Sequence, residues 1–229
     1  MLKITDDQLE KGTWIMQGGA NVNPVPADAF ISSLLADGTL KVTNVSSKAF
    51  GGALVTNKRP MQTQAGASMP FVGMDMDVYV SSYDLANLAR LEIDLKCVAK
   101  AAPNAATPIP NTANFSAQWN LDAKNGQWQL DPSGTTWVDS GFKPTLAPDT
   151  WTTLKFRFWM SAAAGKWSIL SVDWGGVLFV APSQFQNIPL LPSNWNAVAA
   201  IQLQTEVFTP GSLTVLFRNI KLTYGDQPF

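Results

Sequence analysis

Leu91-Glu92-Ile93-Asp94-Leu95-Lys96 alternates strictly between apolar and charged side chains. A period of two predicts a β-strand, with Leu91, Ile93 and Leu95 turned toward a core and Arg90, Glu92, Asp94 and Lys96 standing together on the opposite face. Charge at every second position fits a strand with one wet face, as antiparallel sheets have.

Other segments share the pattern. Phe71 to Val80 sets Met74, Met76 and Val78 against Asp75, Asp77 and Tyr79, and Phe115 to Leu121 sets Phe115, Ala117 and Trp119 against Ser116, Gln118 and Asn120. Asn125-Gly126 predicts a hairpin turn into Gln127-Trp128-Gln129-Leu130. In Thr153 to Met160 the inward set is Leu154, Phe156, Phe158 and Met160, and the outward set is Lys155, Arg157 and Trp159. Ile201, Leu203, Thr205 and Val207 alternate likewise with Gln202, Gln204 and Glu206. Asp173-Trp174-Gly175-Gly176 reads as a turn between two strands, and Gly211 opens a last strand ending at Tyr224.

Residues 27–35 are the one window whose apolar spacing predicts a short helix, and residues 100–114, rich in Ala, Pro and Asn, predict a loop. Short strands at this spacing, without alternating helices, predict an all-β fold: an antiparallel sandwich of two large sheets. No internal repeat or composition shift divides residues 1–229, so one domain is expected. A chain of this size buries roughly 70% or more of its unfolded surface and needs no staples.

Composition narrows the function classes. There is no histidine, which removes Ser-His-Asp and Cys-His triads, His-ligated zinc and His general bases together. Any catalysis falls to carboxylates, Lys, Tyr or Arg. Sixteen basic and seventeen acidic residues give a formal charge of −1 without long runs of either sign, so neither nucleic acid nor an anionic membrane is the expected partner. The single Cys97 belongs to the inward set and reads as a buried structural thiol. No metal or other cofactor is expected; Asp6, Asp7, Asp173 and Asp226 read as ordinary terminal and turn residues. Every apolar run falls short of the about 18 residues of a membrane span. Met1 to Asp7 turns acidic before a leader could form, which leaves a cytoplasmic protein, or an extracellular or periplasmic one whose leader has been removed.

The order of the Glu92-x-Asp94 strand, a Gln118-Trp119-Asn120 strand, "DTWTTLKFRFWM" from Asp149, "WSILSVDWGGVLF" from Trp167 and "VLFRNIKLTY" from Val215 resembles the concanavalin A-like lectin and glucanase superfamily over about residues 38–225. The resemblance implies a jelly roll whose concave sheet binds sugar. The outward residues of the alternating strands then become candidate ligand contacts: Lys96, Ser116, Gln118, Asn120, Lys155, Arg157, Trp159, Gln202 and Gln204. Sugars offer apolar ring faces and rings of hydroxyls, which aromatic platforms beside amides and carboxylates match. A solvated polar face of an antiparallel sheet is the plain alternative.

Laminarinase-like glucanases of this superfamily carry Glu-x-Asp-x-Glu, and the resemblance makes Glu92 a candidate nucleophile tuned by Asp94. Lys96 stands where the acid/base Glu belongs, so ordinary retaining hydrolysis is not expected from this strand alone. Glu206 is the candidate to supply the missing carboxylate. A polysaccharide-lyase reading assigns Arg157 and Gln118 to a uronate carboxylate and Lys96 to proton removal. A structural or protein-interaction sandwich is the reading without sugar. The expected function is carbohydrate binding by a jelly-roll sandwich.

Overall fold

The computed structural model describes residues 3–6, 8–12, 14–16, 29–57, 70–99, 111–121, 126–132, 136–161, 163–192 and 199–229. Its strands are, in order, β1 (Lys3–Asp6), β2 (Trp14–Met16), β3 (Ala29–Leu34), β4 (Leu40–Ser46), β5 (Gly52–Asn57), β6 (Phe71–Val80) and β7 (Leu88–Ala99). There follow β8 (Asn111–Asn120), β9 (Gln127–Asp131), β10 (Val138–Asp139), β11 (Thr152–Ser161), β12 (Lys166–Trp174) and β13 (Val177–Val180). The chain closes with β14 (Ile188–Pro189), β15 (Leu191–Pro192), β16 (Ala199–Val207) and β17 (Gly211–Gly225). Between β6 and β7 lies one short helix, Ser82–Leu85, whose first turn is capped by the Ser81 side chain accepting from the Asp84 N–H. None of the described helices is long and apolar enough to cross a membrane.

Two antiparallel sheets result. One runs β13-β12-β11-β6-β17-β4-β3, with β1 on β17 and β14 on β12; the other runs β10-β9-β8-β7-β16-β5-β2, with β15 on β8. Their facing sides form one apolar core, as alternation requires of a sandwich. Leu91, Ile93 and Leu95 from β7, Ile201 and Leu203 from β16, and Phe156 and Phe158 from β11 are all buried in it. Aromatic rings tie the sheets together. Phe115 of β8 stacks on Phe158 of β11 at 5.5 Å, and Trp128 of β9 lies 6.0 Å from Phe156 and 5.0 Å from Trp174. Trp119 and Trp167 are buried as well. Cys97 is sealed into the same layer, where burial pushes its thiol up to about 12.

The helix expected over residues 27–35 is instead strand β3. Asp37 and Gly38 form a tight turn that returns the chain onto β4, with Gly38 at φ 85° and the Thr39 N–H bonded to Asp37 Oδ1 at 2.9 Å. Six register pairs with β4 then hold residues 29–34 extended, and this pairing overrides a weak helical spacing. The loop read over 100–114 is shorter at its far end, because β8 begins at Asn111 to pair with Ala99 of β7. Asn125 of the expected hairpin lies outside the described residues. The turn at Gly175 and Gly176 is present, both residues at positive φ.

Candidate functional site

The outer face of the β10-to-β2 sheet carries a polar array built in rungs across neighbouring strands. β7 is its axis. Glu92 stands between Gln118 of β8 and Gln204 of β16, and Asp94 between Ser116 and Gln202. Arg90 stands between Asn120 and Glu206. On the β8 side, β9 adds Gln127 beside Asn120, Gln129 beside Gln118 and Asp131 beside Ser116, and β10 adds Asp139 beside Gln129. On the other side, Thr56 of β5 lies beside Gln202.

This face is more buried than an open sheet surface. Asp94, Ser116, Gln118, Asn120, Asp131, Gln202, Gln204 and Glu206 are all buried, and Glu92 and Lys96 are half-buried. Long amides on adjacent strands reach across the spacing of about 4.8 Å and pack on each other, which excludes water from between them. Gln118 Nε2 donates to Gln129 Oε1 at 2.8 Å, Gln204 Nε2 to Glu206 Oε1 at 3.2 Å, and Gln202 Nε2 to Thr56 Oγ1 at 3.3 Å. Arg90 Nη1 pairs with Glu206 Oε2 at 3.2 Å. Some capacity is left over: Asp94 Oδ1 and both amide atoms of Gln127 are buried without a hydrogen-bond partner among the described residues. Such groups cost free energy unless something else meets them.

Burial also sets the protonation of the two central acids. Glu92 is held well above the usual carboxylate range, first by burial, then by the charges of Asp94 and Glu206 and a hydrogen bond with Asp94; Arg90 acts against them. Burial raises Asp94 to about 6 despite a hydrogen bond from Ser116, the Lys96 charge and the contact with Glu92. Both acids are therefore held above their ordinary values, and they titrate as a pair rather than singly.

Not every residue with the right alternation is here. Lys155, Arg157 and Trp159 belong to β11, which pairs with β6 and β12 in the other sheet, so they stand on the opposite outside of the sandwich. There Arg157 pairs with Asp75, donates from Nε to the Phe229 carbonyl at 3.1 Å and lies over the Phe229 ring. Trp159 lies opposite Phe71, and Lys155 bridges to Asp173 at 3.3 Å. Alternation fixes which face of a strand is polar but not which sheet receives the strand. Conversely, Arg90, Gln127, Gln129, Asp131 and Asp139 share the Glu92 face, and alternation along β7 alone points to Arg90 among them. The signal for Gln127, Gln129 and Asp131 is the alternation of Gln127-Trp128-Gln129-Leu130-Asp131 around two buried core residues. Among the described residues no group of three or more carboxylates and thiols is arranged to hold a metal ion.

No protein-family model matches the sequence, and no curated protein matches it. Solved structures do match the fold. The CBM2 module of the evolved Dit of Lactobacillus casei BL23 phage J-1 is similar with a TM-score of 0.54 and 13% identity, over 100% of both chains. Lectin UEA-II complexed with galactose is similar with a TM-score of 0.53 and 11% identity, over 97% of this chain and 98% of that one. Alginate lyase vAL-1 from Chlorella virus is similar with a TM-score of 0.52 and 13% identity, over 87% and 91%. At these identities the likeness establishes the jelly-roll fold that the sequence pattern resembles.

Proposed function

We propose that this chain binds a poly- or oligosaccharide across the Glu92 face. The observation that carries the reading is the rung array itself: amides and carboxylates on five adjacent strands, mostly buried, with Asp94 Oδ1 and the Gln127 amide still lacking partners. Sugar hydroxyls both donate and accept, which suits such a mixture. The fold is shared with a carbohydrate-binding module and with a lectin solved with galactose, which favours this use of a polar sheet face. Trp159 is not available as a stacking platform here. Trp137, half-buried and one residue before β10, shares the alternation of Asp139 and is the side chain proposed for that role instead.

Binding is favoured over turnover by the central pair. Burial holds Glu92 well above the usual carboxylate range, so it does not stand as the ionised nucleophile that a retaining glycosidase needs. Lys96 replaces the third acid, and the Glu206 carboxylate is engaged by Arg90 and Gln204. β-Elimination loses one of its two intended uronate partners, since Arg157 is on the other sheet while Gln118 stays beside Glu92. Glycan-array screening with affinity electrophoresis on plant, algal and bacterial polysaccharides tests the proposal. Retardation by at least one polymer without product release is expected; indifference to all of them alongside capture of a protein partner would move the reading to an interaction module.

A further inference from the structure

Strand β13, Val177-Leu178-Phe179-Val180, ends its sheet among the described strands and carries no charge. Val177, Leu178 and Val180 are 59%, 63% and 68% exposed, so one four-residue strand holds three large apolar side chains in water. Edge strands are ordinarily guarded by Lys, Pro or a bulge against pairing with another chain, and this one has none of them. Its backbone is open in a definite pattern. The two-residue turn at Gly175 and Gly176, both at positive φ, makes Trp174 and Val177 a hydrogen-bonded pair. Alternation then turns the Phe179 groups to β12 as well, and the Ala181 N–H follows by donating to the Leu170 carbonyl at 3.0 Å. The N–H and C=O of Leu178 and Val180 therefore point away from β12, toward the open edge. Their side chains share the outer face with their register partners Asp173 and Ser171.

We infer that β13 is where a second copy of this chain joins, edge to edge and antiparallel, about a two-fold axis at Phe179. That register sets Leu178 of each copy opposite Val180 of the other. Two independent requirements choose it. Residues opposed in a continuous sheet share a face, and Leu178 and Val180 both point outward; residues that exchange backbone bonds need open N–H and C=O groups, and the same two residues have them. A second copy meets both requirements by symmetry, and four backbone bonds use the open groups of Leu178 and Val180 in both strands. The side chains agree, since the new rungs are aliphatic and an uncharged strand brings no like charges together across a two-fold. Joining β13 to β3, at the other end of this sheet, where Ile31 and Leu34 are exposed, would leave one of each free and build a filament instead of a closed pair. Two four-residue strands bury less than the about 1,200 Å² of a stable interface, so the dimer is reversible. Its axis stands perpendicular to the joined sheet, and the Glu92 faces of the two copies therefore open to the same side.

The test is analytical ultracentrifugation of the full chain over a wide range of concentration, where a reversible monomer–dimer equilibrium is expected. Leu178→Lys and Val180→Lys, each placing a charge on the edge, should weaken the dimer at least tenfold while the thermal midpoint stays unchanged, since both positions are exposed. Ile31→Lys on β3 should change it less than twofold. The register is read separately, by mild oxidation of Leu178→Cys chains mixed with Val180→Cys chains. The mixture should form a disulfide-linked pair and neither variant alone should, because only opposed residues bring their Cα atoms to about 5.5 Å. Cys97 is buried and does not compete. A chain that stays monomeric at every concentration, filaments in place of a dimer, a dimer that both Lys variants leave intact, or a mixture that forms no disulfide would overturn the inference.

Discussion

Glu92 and Asp94 lie side by side on a face where neither can ionise at its ordinary value of 4.5 or 3.8. Both folded-state values are raised, so between those ordinary values and the raised ones the folded chain holds protons that the unfolded chain has released. Stability from this pair is therefore fully present below about pH 4 and is lost as pH rises through about 6 and beyond. Asp77 runs the other way: burial alone would raise it, but hydrogen bonds from Thr153, Asn219 and Arg218 leave it lowered, and its effect falls below its ordinary 3.8. Urea midpoints should decline from pH 4 to 8, and Asp94→Asn should flatten that slope. A wild-type midpoint that climbs over the same range would contradict the raised values of this pair.

At the level of elements, β7 and β11 look alike in sequence and differ in use. Both have a fully buried inward set, and Phe156 of β11 packs on Phe115 at 5.3 Å and on Trp128 at 6.0 Å. Phe156→Ala should therefore cost about 3–5 kcal/mol in an equilibrium denaturation, since a ring is lost where two sheets meet and the site collapses only in part. A cost below about 1 kcal/mol would mean the sheets do not close on that ring. The inward residues of both strands were legible from their period of two, because burial of one face is what creates that period. Sheet membership was not legible: Lys155, Arg157 and Trp159 carry the same alternation as Gln202, Gln204 and Glu206, and only pairing with Asp75 and Ser171 on one side, or Glu92 and Asp94 on the other, separates them. Strand β3 escaped for a related reason, since its exposed Ile31 and Leu34 follow no buried stripe and its state is decided by β4.

For the whole molecule, one core shared by both sheets leads us to propose that the chain unfolds as a single unit. Far-ultraviolet dichroism and tryptophan fluorescence should then give coincident transitions; two separated transitions would point to independent domains. The same core explains how the polar array is held: strands whose inner residues are locked by packing carry their outer residues at fixed rungs. Function therefore follows the sheet rather than the count of promising side chains, and this separates two sets of candidates that the sequence could not. The most direct test is titration calorimetry with the polysaccharide that retards the protein most, comparing the wild type with Gln118→Ala, Gln204→Ala and Trp159→Ala. Each Gln substitution is predicted to weaken binding by about 1–3 kcal/mol, because it removes one side of a buried hydrogen-bonded pair, and Trp159→Ala to leave it within twofold; loss of binding in Trp159→Ala with both Gln variants unchanged would contradict the account.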